Sequence, residues 1–184
     1  MKTRSITFLG LGVALFVVLS MCLRVPVFEN YYLCLGYTVM TAYIWNFAWY
    51  EGAIVGFLGV ILYCIIGALG FNGMPGWALG NVVIGLTLGM AIKVIRRLES
   101  KPLQVVLIAI SAIVATFIGI GIVKSLIDSF IVGQPFLVRV AKNTASFISD
   151  AFVIVASLPA CSLTEKVARR LRYGSEHSAE ASKA

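Results

Sequence analysis

Six long apolar runs limit the folds open to this chain more than any other feature of its sequence. They lie at about residues 5–23, 31–47, 51–70, 76–95, 103–123 and 141–161, and charged or turn-forming residues separate them. A bilayer has a hydrocarbon core of ~30 Å, which takes ~20 apolar residues per helix. Because backbone groups in lipid must find hydrogen bonds within their own segment, runs this long predict helices rather than barrel strands. We therefore predict an all-α, polytopic membrane protein with a bundle of six transmembrane helices.

The composition agrees with a single membrane domain. Of the 184 residues, 60% are hydrophobic and 12% are charged, whereas soluble domains average about 45–50% apolar and about 25% charged residues. The six runs leave no room for a sizeable soluble domain, so we expect residues 1–172 to form one six-helix membrane domain. Residues 173–184 are poor in apolar side chains and predict a disordered cytoplasmic tail.

The positive charges predict how the helices are oriented. The formal net charge is +7, and cytoplasmic loops of membrane proteins carry an excess of Lys and Arg. With both termini in the cytoplasm, four of the 15 lysines and arginines fall outside: Arg24, Lys124, Arg139 and Lys142. Topology then accounts for the charge, and we expect no nucleic-acid partner. The stretch 124–140 is too polar to span and predicts a short extracellular helix with a turn at residues 133–135.

The last apolar run contains polar side chains that membrane helices rarely carry. Asp150 lies near its middle, where a charge costs about 2.5–3.5 kcal/mol on insertion scales. Asn143 lies on the same helical stripe, and Lys142 borders the stripe at its outer end. The stripe predicts a polar niche that faces the bundle interior and opens to the cell exterior. The structural alternative is that Asp150 pairs with Lys142 or Lys124, while Lys124 and Asp128 form an ordinary i,i+4 ion pair.

Other runs offer groups that could converge on this stripe. The fourth run holds Trp77 and Asn81, the third holds Tyr63, and Asn30 lies in the first outer loop. Aromatic walls with a few hydrogen-bonding groups are typical of small-molecule sites. An alternative role for Asn81 is a hydrogen bond between helices, worth about 0.6 kcal/mol. We predict a substrate-binding site made of Asn30, Tyr63, Trp77, Asn81, Lys142, Asn143 and Asp150.

Small residues at four-residue spacing indicate close helix packing. Most such pairs predict contacts inside the bundle, because small side chains let two backbones approach in lipid. Gly10 and Ala14 lie in the first run, which is peripheral in a small bundle, and there the pattern predicts an external face that docks on another membrane subunit.

The sequence carries no motif of a familiar enzyme. It has no GxxxxGK[ST] loop for nucleotides, no HExxH and no GxSxG. Its four cysteines are scattered singly through apolar segments, away from any histidine, so we expect no metal and no cofactor. We interpret the chain as a protein that is not an enzyme.

Three stretches resemble the substrate-binding S components of energy-coupling factor (ECF) transporters, in the branch labelled riboflavin-type or pyridoxine/hydroxymethylpyrimidine-type. They are "LGLGVALFVVLSMCLRVPV", "YYLCLGYTVMTAYIWNFAWYEGAIVGFLGVILY" and "GMPGWALGNVVIGLTLGMAIK". The resemblance implies a subunit of a bacterial plasma membrane that binds a vitamin from outside the cell. It also implies partners: a transmembrane coupling subunit and two cytoplasmic ATPase subunits that drive uptake. The family often has an AxxxA motif in its first helix, which Gly10-xxx-Ala14 matches only in part, since Val18 follows in register.

The predicted site residues are compatible with several vitamins. One acid, one base, asparagines and aromatic rings suit pyridoxine or the hydroxymethylpyrimidine of thiamin. Lys142 with Arg139 could instead hold the carboxylate of pantothenate, and riboflavin and cobalamin are further candidates. Two other classes of function remain alternatives: a membrane scaffold or assembly protein that transports nothing, and an autonomous secondary carrier that uses Asp150 as its titrating group.

Overall fold

A computed structural model describes residues 3–22, 25–28, 31–67 and 74–173 of the chain. Two short strands, β1 (Val25–Phe28) and β2 (Tyr31–Leu33), pair antiparallel with Val25 opposite Leu33. A π-helical segment, Phe117–Lys124, joins α5 to α6 without a break. The α-helices are α1 (Thr3–Cys22), α2 (Gly36–Asn46), α3 (Glu51–Ile66), α4 (Met74–Ile95), α5 (Lys101–Thr116), α6 (Ser125–Val132) and α7 (Phe136–Tyr173).

Four helical stretches among the described residues are long and apolar enough to cross a membrane. They are Ser5–Cys22, Met74–Ile95, Lys101–Val132 and Phe136–Glu165. Helix α3 is also apolar but has only 16 residues, and α2 has 11, fewer than the ~20 that a straight span needs. The helical class predicted from the apolar runs is therefore confirmed at the level of a helical bundle with several membrane-length helices.

The second predicted run, 31–47, is not helical throughout. Its first residues form strand β2, and the helix begins only at Gly36. Consecutive tyrosines favour an extended strand that can pair with a neighbour. Gly36 starts the helix against α1, where a Cβ would lie 2.8 Å from the carbonyl oxygen of Phe16. Hydropathy alone did not separate the strand from the helix because both are apolar.

The fifth and sixth runs also differ from the prediction at their ends. The expected short helix before the sixth span is the continuation of α5 through the π-helical segment, and it ends at Val132. The expected turn is present: Gly133 has φ 68°, and its N–H donates to the Ser129 carbonyl at 2.9 Å. Helix α7 then begins at Phe136 rather than 141. Arg139 and Lys142 interrupt the apolar run without interrupting the helix.

Glycine contacts bring the helix backbones together in the core. A Cβ on Gly119 of the π-helical segment would lie 2.5 Å from the carbonyl oxygen of Gly80 in α4. A Cβ on Gly85 would lie 2.5 Å from the Cα of Ala53 in α3. Since backbone atoms cannot move aside as side chains can, only glycine permits these approaches. The predicted packing role of small residues in α4 is thus seen directly.

Helix α7 is the longest element and reaches both ends of the bundle. It has 38 residues, which corresponds to about 57 Å at 1.5 Å per residue. Glu165 in its last part accepts a hydrogen bond from Trp45 Nε1 at 3.3 Å, and its Oε2 lies 3.7 Å from the Arg96 guanidinium. That guanidinium also lies 4.6 Å from the centre of the Trp45 ring. This contact ties the far end of α7 to α2 and to the residue after α4.

Candidate functional site

Two groups of polar side chains lie inside the apolar bundle. The first, called here the tyrosine cluster, consists of Tyr37, Trp77, Asn81 and Asp150. The second, the lysine cluster, consists of Lys124, Ser125, Asp128 and Asn143. Their residues come from α2, α4, the π-helical segment, α6 and α7, so the two clusters depend on the packing of the whole bundle.

The tyrosine cluster is centred on a fully buried phenol. Tyr37 and Asn81 are both 0% exposed. The Tyr37 hydroxyl donates to Asn81 Oδ1 at 2.8 Å and accepts from Trp77 Nε1, also at 2.8 Å. Asn81 Nδ2 donates to the Gly56 carbonyl at 3.3 Å. One asparagine thereby joins α2, α3 and α4, which is the interhelical role considered for it, and it also fixes the orientation of the phenol.

Asp150 faces the bundle interior from α7. Its side chain is 5% exposed and lies beside the Tyr37 hydroxyl, within electrostatic reach of Lys124. A carboxyl group in this position costs free energy unless polar partners surround it. The Tyr37 phenol and the Lys124 ammonium are the polar groups that influence Asp150, and through Lys124 the tyrosine cluster adjoins the lysine cluster.

An aromatic pair borders the tyrosine cluster. The rings of Tyr63 in α3 and Trp77 in α4 have centroids 5.6 Å apart and an interplanar angle of 88°. Such an edge-to-face pair is a favourable arrangement of two quadrupoles. Since the indole N–H of Trp77 is bonded to Tyr37, the pair is held in register with the buried phenol.

The lysine cluster is a compact network at the junction of the π-helical segment and α6. Lys124 Nζ donates to Asp128 Oδ2 at 2.9 Å and to Asn143 Oδ1 at 2.6 Å. Asn143 Nδ2 donates to Ser125 Oγ at 2.9 Å. Ser125, Asp128 and Asn143 are buried. The predicted i,i+4 ion pair of Lys124 and Asp128 is confirmed, but it is more than a helix-surface pair because it holds Asn143 of α7.

The structure brings together most, but not all, of the predicted site residues that it describes. Tyr63, Trp77, Asn81 and Asp150 come together around Tyr37, and Asn143 belongs to the neighbouring network. Lys142 is exposed and donates to Gln134 Oε1 at 3.3 Å, so it belongs to neither cluster. Asn30 lies outside the described residues.

Sequence reasoning missed four members of the two clusters as site residues: Tyr37, Lys124, Ser125 and Asp128. Tyr37 lies in an apolar run, where nothing marks it as the partner of a residue 44 positions away. Lys124 and Asp128 were interpreted as a local ion pair. The signal that could have found them is the position of "KSLID" directly after "GIGIV", where a helix continuing through the glycines carries the polar residues toward α7.

The two residues predicted to dock a partner lie on an open face of α1. A Cβ on Gly10 would meet nothing within 4 Å, and Ala14 is exposed. Leu11, Leu15 and Val18 are also exposed. Gly12, in contrast, packs against the ring of Tyr43, where a Cβ would lie 2.5 Å from Cζ. Helix α1 thus has one face turned to the bundle and one apolar face turned away from it.

Comparison with known proteins gives one match. A family model described as "ECF-type riboflavin transporter, S component" matches residues 1–164 of the 184-residue chain. No curated protein matches the sequence. The matched range includes all the described helices except the last turns of α7, and therefore both polar clusters.

Proposed function

Since the chain belongs to the family of ECF-type riboflavin transporter S components, we propose that it captures a water-soluble vitamin outside the cell and delivers it to an ATP-driven uptake complex. The chain is a multi-pass membrane protein and a transport subunit rather than an enzyme. The observation that carries the proposal is the convergence of two hydrogen-bonded polar clusters, from several helices, inside the bundle.

We assign vitamin binding to the side of the bundle that holds the lysine cluster and the tyrosine cluster. Asn143 and Asp150 supply hydrogen-bonding and ionic groups, and the Tyr63–Trp77 pair supplies an aromatic surface. This composition supports a small heteroaromatic ligand. Asn30 and Lys142 stay in the proposal as predicted ligand contacts, and the Lys142 ammonium is exposed to an incoming ligand.

The family description favours riboflavin among the candidate vitamins. A tricyclic ring stacks well on aromatic side chains, and the hydroxyl groups of its side chain suit the asparagine, the carboxylates and the ammonium group of the two clusters. Pyridoxine and hydroxymethylpyrimidine present smaller rings with the same kinds of polar group. Pantothenate and cobalamin follow as further candidates.

The topology and partners proposed for the chain follow from its charge pattern and its family. We propose six spans across a bacterial plasma membrane, with both termini in the cytoplasm. This orientation places most lysines and arginines on the cytoplasmic side, as the positive-inside rule requires. The partners are a transmembrane coupling subunit and two cytoplasmic ATPase subunits. The open face of α1 around Gly10 and Ala14 supports docking of the coupling subunit there.

Ligand binding by the purified chain tests the proposal. The protein is reconstituted in nanodiscs, co-purified small molecules are identified by mass spectrometry, and riboflavin is titrated while its fluorescence is recorded. We expect saturable quenching that pyridoxine does not reverse. Saturable binding of pyridoxine with no response to riboflavin would assign pyridoxine as the vitamin and leave the proposed transport function unchanged. Absence of binding for every candidate vitamin would contradict the proposal and favour the scaffold alternative.

A further inference from the structure

We propose that Ser125, held by the π-helical segment, is a positioning residue that fixes the side-chain amide of Asn143 for vitamin binding. This inference rests on the proposed function, because it assumes that Asn143 contacts the ligand. Ser125 is 0% exposed and makes hydrogen bonds to two different elements. Its hydroxyl therefore links the backbone of the π-helical segment to the Asn143 side chain of α7.

The hydrogen bond that Ser125 donates is unusual in its spacing. Its hydroxyl lies 3.4 Å from the carbonyl of Ile120, five residues earlier. Where other hydroxyls in the described helices donate to a preceding carbonyl, the acceptor lies three or four residues earlier, as for Ser157 to Ile154 at 2.7 Å and Thr87 to Val83 at 2.6 Å. An acceptor five residues back becomes available when a helix has π rather than α register. The direction of the Ser125 hydroxyl is thus a consequence of the π-helical segment.

The Ser125 hydroxyl is the nearest acceptor for the Asn143 amide N–H and so contributes to its orientation. A serine hydroxyl has one proton, and when the proton points to Ile120 the oxygen presents lone pairs to α7. Asn143 Nδ2 donates to this oxygen at 2.9 Å, and Asn143 Oδ1 accepts from Lys124 at 2.6 Å. An ammonium group can only donate, so Lys124 requires Oδ1 on its side. Ser125 accepts from Nδ2 on the other side, and Asp128 Oδ2 accepts there more weakly at 3.4 Å. Together these partners disfavour the flipped amide.

Two contacts near its start hold the π-helical segment in register. At its start, the ring of Phe117 lies 5.6 Å from the ring of Phe147 in an edge-to-face contact. Gly119 meets the backbone of Gly80 in α4. Phe147 and Asn143 are one turn apart on α7. Phe117, at the start of the segment, and Ser125, the first residue of α6, therefore contact the same face of α7. A change of one residue in register would rotate Ser125 by about 100° and remove it from Asn143.

Four variants test the inference by their riboflavin affinity. Ser125→Ala removes both hydrogen bonds of the hydroxyl, and we expect a loss of about 2- to 10-fold. Asn143→Ala should lose more. In the double variant Ser125→Ala/Asn143→Ala we expect the loss of Asn143→Ala alone, because Ser125 acts through the amide. Ser125→Thr keeps the hydroxyl and should bind more tightly than Ser125→Ala.

Ser129→Ala provides a matched control. Ser129 lies one turn further along α6 and donates to the Gln134 carbonyl at 2.6 Å. We expect its affinity to equal that of the unchanged protein. Equal affinity of Ser125→Ala and the unchanged protein would overturn the inference, and so would independent, multiplying losses in the double variant. If the unchanged protein binds no vitamin, the proposed function fails, and this inference fails with it.

Discussion

At the scale of single residues, Asp150 is the group whose position most needs a functional explanation. It is buried in a membrane-length helix, beside the Tyr37 hydroxyl. We expect Asp150→Ala to weaken vitamin binding by more than about tenfold, which corresponds to about 1.4 kcal/mol. Binding is measured by titration of the purified protein.

The control for Asp150 lies on the same helix. Thr144 is exposed and donates only to the Val140 carbonyl at 2.9 Å among the contacts described. We expect Thr144→Ala to bind normally. Retention of full affinity by a well-folded Asp150→Ala protein would instead assign Asp150 to helix packing.

The hydrogen bonds of Asn81 predict that it contributes to the stability of the fold as well as to vitamin binding. Replacement by Leu keeps the branching of the side chain but leaves the buried Tyr37 hydroxyl without its acceptor and the Gly56 carbonyl without the Asn81 donor. A buried polar group that loses its partner costs about 1–3 kcal/mol. We expect Asn81→Leu to lower the midpoint of thermal unfolding in detergent. An unchanged midpoint would mean that another partner replaces the amide.

At the scale of elements, the contact of α4 with the π-helical segment depends on two glycines. A Cβ on Gly119 would lie 2.5 Å from the Gly80 carbonyl oxygen, whereas a Cβ on Gly121 would lie 3.0 Å from the Phe117 ring, which can turn aside. We expect Gly119→Ala to destabilise the fold and weaken vitamin binding more than Gly121→Ala does. Thermal unfolding and titration of both variants check this order, which equal effects would contradict.

The sequence correctly predicted those helices whose ends coincide with the ends of an apolar run. Helices α1, α3 and α4 lie within a few residues of their apolar runs, because both ends of these runs carry polar or turn-forming residues. The strand β2 and the start of α7 were placed wrongly. Hydropathy reports contact with lipid, and it does not distinguish an apolar strand from a helix or a polar helical turn from a loop.

The clusters could be predicted only in part for a related reason. Trp77, Asn81 and Asp150 stand out because they are polar or aromatic within spans, and the structure brings them together. Tyr37 and Ser125 do not stand out, since their roles come from contacts across helices. The register of Ser125 depends on π-helical geometry, which no hydrophobic period in the sequence indicates.

At the scale of the whole molecule, the open face of α1 predicts a separation of binding from uptake. Replacing Ala14 by Trp adds bulk to a surface that is turned away from the bundle. We expect Ala14→Trp to bind the vitamin normally but to abolish ATP-driven uptake in cells that contain the complete transporter. Accumulation of labelled vitamin and titration of the purified protein measure the two properties.

A second exposed position serves as the control for Ala14. Val105 in α5 is 61% exposed and lies on a different helix. We expect Val105→Trp to retain both binding and uptake. If Ala14→Trp also retains both, the coupling subunit docks on another face of the bundle.

The length of α7 has a mechanical consequence. Asp150 and Glu165 lie on this one helix, about 22 Å apart at 1.5 Å per residue, and the helix continues through Pro159 between them. A pivot of a few degrees centred near Asp150 would therefore displace Glu165 by an ångström or more relative to Trp45 and Arg96, which it contacts. If a vitamin binds near Asp150, as proposed above, we expect the Glu165 contacts at the other end of α7 to respond to it.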